Sequence, residues 1–276
     1  MASSGQFVDL HAARRMEQVQ SWRRWRYAEA YRVLHPALEV GLEKIADAFL
    51  IYCGPGSPLN RAVGLGMHLP LANGVLEEVE RFYAVRGEAA RVDLCPLADP
   101  SLIKGLKQAG YCLEMFDSVL FQYLPAGFGN WPVPENIQVS RTTSADTELW
   151  LRLTAAGFCE KTEPDQDTLD IVGPNFHSAN AACFLASLDG RPAGGAAMFS
   201  HEGGAEFGGD STLLEYRRRG IQAALINTRL AFAYQMGCDL AIALTEPGSP
   251  SQRSYYHAGF QLAYTRAIMI KSQPGR

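Results

Sequence analysis

The sequence predicts an α/β protein, a mixed sheet with flanking helices, built twice within one chain. Three observations carry that reading. The chain has 276 residues, 47% of them hydrophobic and 20% charged, which suits one or two domains of roughly 100–200 residues, each with a real core. The chain also repeats itself: Gly87 and Gly237, and Pro100 and Pro250, stand 150 residues apart, while Gly110 and Gly259 stand 149 apart. Finally, each copy reads in the order helix, strand, helix, strand, which is the order of an α/β unit.

The elements follow in order. The first half opens on a helical stretch at about Leu10–Leu34, and a second helix is expected over Pro36–Asp47. In each copy a helix closes at Gly87 or Gly237, where glycine takes the left-handed cap position. A β-rich run follows, Ala90–Leu97 or Leu240–Pro247. A Pro-Ser turn with Ser101 or Ser251 then opens a short helix that stops at Gly110 or Gly259, and a last strand follows. The second half begins with a strand at Ile137–Ser140 and a helix at Ser144–Ala156, with Ser144 and Thr147 suited to cap it. The runs Ala182–Leu188 and Gly194–Ser200, joined by Asp189-Gly190, read as a hairpin. A further strand spans about Ala205–Thr212. Residues 125–136 carry three prolines and two glycines and read as linker. The expected division is therefore 1–124, linker 125–136 and 137–272, with a frayed tail.

Composition excludes several classes. A net charge of −4 offers no strong field for nucleic acid or an anionic membrane. No apolar run reaches the roughly 18–20 residues of a membrane span, and the N-terminus lacks the apolar core of a signal peptide. The six cysteines are scattered without a C-x-x-C pair, and no H-E-x-x-H occurs. Reduced, mostly buried thiols in a cytoplasmic protein without metal are expected. The basic and aromatic run Arg14–Tyr27 reads as a helix with buried aromatics and a solvated arginine face, not as a nucleic-acid site.

The stretch that carries chemistry runs from Ala205 to Gly237. A strand leads into three arginines and a glycine, Arg217-Arg218-Arg219-Gly220, and a strong helical pattern starts at Ile221. The start of a helix leaves about four backbone N–H groups unpaired and carries partial positive charge. Gly220 lets the backbone approach a ligand, and the arginines add full charge. Together these make a pyrophosphate cradle. The spacing fits neither a Walker A loop nor a dinucleotide fingerprint.

These residues resemble the GCN5-related N-acetyltransferases (GNATs), whose signature is Gln/Arg-x-x-Gly-x-Gly/Ala. Arg217 and Gly220 match its first and fourth positions, and Gln222 departs from its sixth. The resemblance extends over about residues 137–271 and includes Tyr255-Tyr256-His257-Ala258-Gly259-Phe260, similar to the family's Tyr-x-x-x-Gly-Phe. The whole chain resembles two-domain bacterial members, with tandem acyl-CoA N-acyltransferase folds and a degenerate first half. At 150 residues before Gly220 stands Pro70, with no arginines ahead of it and Glu77, Glu78 and Glu80 beyond. One acetyl-CoA per chain, in the second half, is expected.

The resemblance implies transfer of an acetyl group from acetyl-CoA to the amine of a small molecule. Tyr255 is the expected acid, with Tyr256 as the neighbour it could be confused with. Glu206 is the expected base, with Asp210 on the same face by the period of two. Gly208-Gly209 marks an expected bulge. Thr212, Leu214, Arg217, Arg218, Arg219, Gly220, Ile221 and Gln222 are the expected cofactor contacts. Ser251 and Ser254 either line the same groove or cap and pack. The acceptor stays open, as does the choice between a monomer packed as a pseudo-dimer of halves and a homodimer. The rival reading is a non-catalytic acyl-CoA sensor.

Overall fold

Helix α1 (Leu10–Leu34) opens the computed structural model, which describes residues 7–127, 129 and 131–271. Asp9 caps it by accepting from the Ala12 N–H at 2.8 Å. Its apolar side buries Ala13, Met16, Val19 and Ala28. The basic run departs from the expected solvated arginine face: Arg14 donates to the Met67 carbonyl and Arg24 pairs with the buried Asp93, both distant in sequence, while Arg26 pairs with Glu29 within the helix.

The expected helix over Pro36–Asp47 is instead strand β1 (Val40–Ile45), hairpinned to β2 (Ala48–Cys53). The β-favouring run Phe49-Leu50-Ile51-Tyr52 needs a partner, and Ala46 turns the chain at φ 52° to supply one. Strand β3 (Arg61–Val63), helix α2 (Val75–Ala84), strand β4 (Arg91–Leu94), helix α3 (Pro100–Gln108) and strand β5 (Tyr111–Tyr123) complete the first copy. The second copy holds β6 (Ile137–Arg141), α4 (Thr147–Cys159), α5 (Gln166–His177), β7 (Ala181–Leu188), β8 (Arg191–His201), β9 (Gly204–Thr212), α6 (Ile221–Gln235), β10 (Leu240–Thr245), α7 (Pro250–His257) and β11 (Gln261–Lys271). Helix α5 has no counterpart among the sequence expectations. The cap before α4 is a box in which Thr143 and Asp146 bond each other's backbone, not Ser144 or Thr147.

Two compact units emerge, and they cut across the sequence repeat. Unit 1 takes the described residues up to Val119, Thr245–Pro247 and those from Leu262 onward. Unit 2 takes Leu120–Leu244 and Gly248–Gln261. The last strand of the second copy thus serves unit 1, where β11 pairs antiparallel with β4. The reason lies in its side chains. Arg266, 1% exposed, donates to Glu17 of α1 at 2.7 Å and to Asp93 of β4 at 3.3 Å, and Tyr264 donates to Glu17 at 2.7 Å. Buried charges are found paired, and these pairs lie in unit 1.

In unit 2, β7, β8 and β9 form an antiparallel meander with β6 on the outer side of β7, and β10 runs parallel to β9. Helix α6 covers one face through Ala224, Leu225 and Leu230, and Trp150 of α4 leads a second cluster on the other. Trp131 and Val133 of the expected linker pack against the α6 side of this core.

Candidate functional site

The site is built where β9 and β10 part. Their ladder runs from Gly204–Leu240 to Phe207–Ala243 and ends there. The rest of β9, Gly208–Thr212, has no partner on the β10 side. On the β8 side the register shifts: Ala197 faces Gly208 while Gly195 faces Ser211, so three steps on β9 match two on β8. This is the expected bulge, with Gly209 at φ 61°.

The bulge reverses the alternation of faces. Glu206 and Ser211 fall on the α4 face, whereas Asp210 turns to the α6 face and meets Arg229 and Tyr255. The expectation that Glu206 and Asp210 share a face is therefore corrected: an extra residue between them breaks the period of two.

Arg229 is the buried centre of this arrangement. It is fully shielded and donates to the carbonyls of Leu225, Ala197 and Gly208 at 3.1, 3.0 and 3.4 Å. Its remaining nitrogen pairs with Asp210. The Tyr255 hydroxyl donates to the other Asp210 oxygen at 2.6 Å. Burial, with the Asp210 charge adding to it, pushes the Tyr255 phenol well above its ordinary value of 10.0. Tyr255 is 1% exposed, with its hydroxyl engaged by Asp210. Tyr256 is exposed and accepts from Gln252.

Beyond β9 the chain makes a short 3₁₀ turn at Leu214–Tyr216 and enters α6 through Gly220, at φ 88°. No side chain caps α6, and no acid lies in its first turn. Helices α1, α3, α5 and α7 are all capped by side chains of their own. A groove of about 610 Å³ opens here, lined by Asp210, Thr212, Gly220, Gln222, Arg253 and Ser254 among others.

The three arginines take different places. Arg217 ties the loop to the end of α4, donating to Glu160 at 2.6 Å and to the Gly157 carbonyl at 3.1 Å. Arg219 lies over the Tyr216 ring at 5.8 Å. Arg218, at φ 59°, lines the groove with Arg253, and neither has a carboxylate at ion-pair distance among the described residues. Gln222 is turned aside, its Oε1 accepting from Ser254 Oγ at 3.0 Å. The larger residue at the signature's sixth position is thereby held against α7.

Of the expected contacts, Thr212, Arg217, Arg218, Gly220, Ile221 and Gln222 line the groove, as do Ser251 and Ser254; Leu214, Arg219, Glu206 and Tyr255 do not. Arg253, His257 and Glu160 line it without having been singled out in the sequence. Each is an ordinary surface residue in its local context, and only the folding of α4 and α7 around the loop brings it in.

Two features test the groove for a phosphate-bearing ligand. The uncapped N–H groups of α6 face it, and Ser211 Oγ, buried at its wall, has no hydrogen-bond partner. Both fit a ligand with acceptor oxygens.

Unit 1 differs at the matching place. The residue that corresponds to Gly220 is Gly74, at φ 87° and likewise the cap of its helix, four residues beyond Pro70. The offset arises because α2 has 10 residues where α6 has 15. Glu77 and Glu78 occupy the first turn of α2. In the loop after β3, the N–H groups of Gly66, His68 and Leu69 already donate to the Asp47 carboxylate at 3.1, 2.8 and 3.1 Å. Those three N–H groups are thus engaged by an internal carboxylate, while the start of α2 at Gly74 has no side-chain cap.

Residues 147–260, which hold α4, the meander, the loop and α7, match the model of the Acetyltransferase (GNAT) family. That stretch is similar to the GNAT family. The fold of the chain is similar to that of a GCN5-related N-acetyltransferase from Kribbella flavida, 19% identical, with TM-score 0.63 over 90% of this chain and 95% of that one. A GCN5-related N-acetyltransferase from Sphaerobacter thermophilus is 16% identical, with TM-score 0.57 over 83% of this chain and 82% of that one. A tandem GNAT protein from the clavulanic acid biosynthesis pathway is 12% identical, with TM-score 0.57 over 93% and 96%. At these identities the likeness is one of fold. No curated protein matches the chain in sequence. No helix among the described residues is long and apolar enough to cross a membrane, and no group of three or more metal-ligating side chains occurs among them.

Proposed function

We propose that the chain is an acyl-CoA-dependent N-acyltransferase, using acetyl-CoA and a small primary amine. The observation that carries this reading is the uncapped start of α6 opening, beside Arg218 and Arg253, into a groove at the parting of β9 and β10. The pyrophosphate would be held by the backbone of the Arg217–Gln222 loop, and the pantetheine arm by the unpaired edge of β9 near Thr212. Acetyl-CoA would supply the thioester that the amine attacks.

For the amine, Glu206 is the proposed base. It lies on the α4 face, so the acceptor is proposed to enter from that side of β9. Tyr255 is the proposed donor to the departing sulfur. Burial keeps its phenol protonated, the state an acid must start from, and its turn from Asp210 toward the groove would be part of the reaction. Unit 1 is proposed to be silent toward acyl-CoA because Asp47 occupies its loop.

One observation favours a second reading, a non-catalytic acyl-CoA sensor: the proton of Tyr255 is engaged by Asp210. Turnover separates the two. A panel of amino acids, polyamines and aminoglycosides with acetyl-CoA is expected to release free thiol with at least one acceptor. Tyr255→Phe is expected to lower kcat by roughly 10²-fold, in the range for general acids, with little change in acetyl-CoA affinity. An unchanged kcat would move the acid role elsewhere, first to Tyr256. Binding without turnover across the panel would favour the sensor.

A further inference from the structure

We propose that unit 1 carries a ligand site of its own, shaped for a small amphiphilic carboxylate. A cavity of about 450 Å³ lies between α1, the β1–β2 turn and the Gly64–Leu69 loop. Ordinary packing leaves few voids larger than a water molecule, and pockets for small molecules run from roughly 300 to 1,000 Å³. Trp22, Phe49, Met67 and Leu69 supply apolar wall. Ser21 lines the cavity at 6% exposure, and its Oγ has no hydrogen-bond partner. A buried hydroxyl left unpaired is unfavourable unless something arrives to bond it.

The charged groups around the cavity decide the ligand class. Glu17 is engaged by Arg266 and Tyr264, and Asp47 by the three loop N–H groups. Lys44 is different. Its Nζ lies 4.8, 5.3 and 4.9 Å from the ring centroids of Trp22, Trp25 and Phe49. No carboxylate among the described residues lies within ion-pair distance of it. Aromatic faces hold an ammonium in place without neutralising it. The cavity therefore offers one uncommitted cation at its edge and one uncommitted hydroxyl in its wall, beside apolar surface. A carboxylate with a hydrocarbon or aromatic body satisfies all three. A cationic ligand would first have to displace Lys44.

The wall is fixed in advance. Asp47 pins Gly66, His68 and Leu69, and Arg14 Nε donates to the Met67 carbonyl at 2.5 Å. Gly64 lies against Ser21, where an added Cβ would come within 3.2 Å of its Oγ. Such preorganisation lowers the ordering cost of binding.

The test is a titration of the full chain with hydrocinnamate and with octanoate, followed by tryptophan emission, and with phenylpropylamine as the cation of matching body. A saturable change with a carboxylate is expected, with the amine at least about tenfold weaker. Lys44→Met is expected to weaken carboxylate binding about tenfold, the loss of one charge-assisted hydrogen bond, and Ser21→Ala to weaken it less. Acetyl-CoA binding should be the same in both variants, which separates this site from the groove of unit 2. No saturable response to either carboxylate at millimolar concentrations overturns the proposal. So does equal affinity in Lys44→Met, or tighter binding of the amine.

Discussion

Arg229 shows what a single residue settles in this molecule. Its guanidinium holds the carbonyls of Ala197 and Gly208, which face each other at one end of the bulge, and anchors Asp210 at the groove. Removing it leaves Asp210 without its cation and those two carbonyls without the guanidinium donor. Arg229→Ala is expected to cost about 3 kcal/mol, the low end for breaking a buried ion pair, because Asp210 borders solvent in the groove. Urea unfolding checks this; a loss under about 0.5 kcal/mol, typical of surface changes, would mean that the pair is incidental. Gly220 was legible from the sequence because its meaning is local: a basic turn, then a helix. The Arg229–Asp210–Tyr255 group was not, because its members come from three elements and each looks ordinary in its own stretch. Asp210 was placed on the wrong face because alternation holds only while the ladder is regular, and the bulge falls inside the span counted.

Among the elements, the strand-helix-strand order of both copies was legible through their shared punctuation, Gly87 and Gly237, Pro100 and Pro250, Gly110 and Gly259. Strand β1 was misread because six residues with a mixed pattern do not distinguish helix from strand, and only the pairing with β2 decides it. The allegiance of β11 could not be read locally at all. It is set by Glu17 and Asp93, which lie more than 170 residues earlier in the chain and bond Arg266. A chain ending at Gln261 loses that strand and leaves both carboxylates without this partner. Hydrogen exchange is expected to show lost protection in β2 and β4 while β7–β9 keep theirs. Retained protection in β4 would show that unit 1 does not depend on β11.

For the whole molecule, composition was an adequate guide to class and a poor one to sites, since a net charge of −4 conceals a groove lined by Arg218 and Arg253. Burial also gives the molecule a pH limit. Tyr83, Tyr255 and Tyr264 are each held well above the ordinary phenol value of 10.0, chiefly by desolvation. The folded state keeps these protons when the unfolded chain would release them. Their stabilising contribution is therefore complete below pH 10 and falls as pH rises beyond it. Urea midpoints are expected to be flat across mildly alkaline pH and to drop above about pH 10, with a late phase of phenolate absorbance that coincides with unfolding. A single early phase covering every tyrosine would contradict this burial.

One loop, in unit 2, is proposed to hold acyl-CoA. Calorimetric titration with acetyl-CoA and with CoA, on the parent and on Gly220→Glu, tests it most directly. One ligand per chain is expected for the parent and none for the variant, whose added carboxylate would meet the phosphates at a position built for φ 88°. Two ligands per chain, or binding that survives Gly220→Glu, would contradict it.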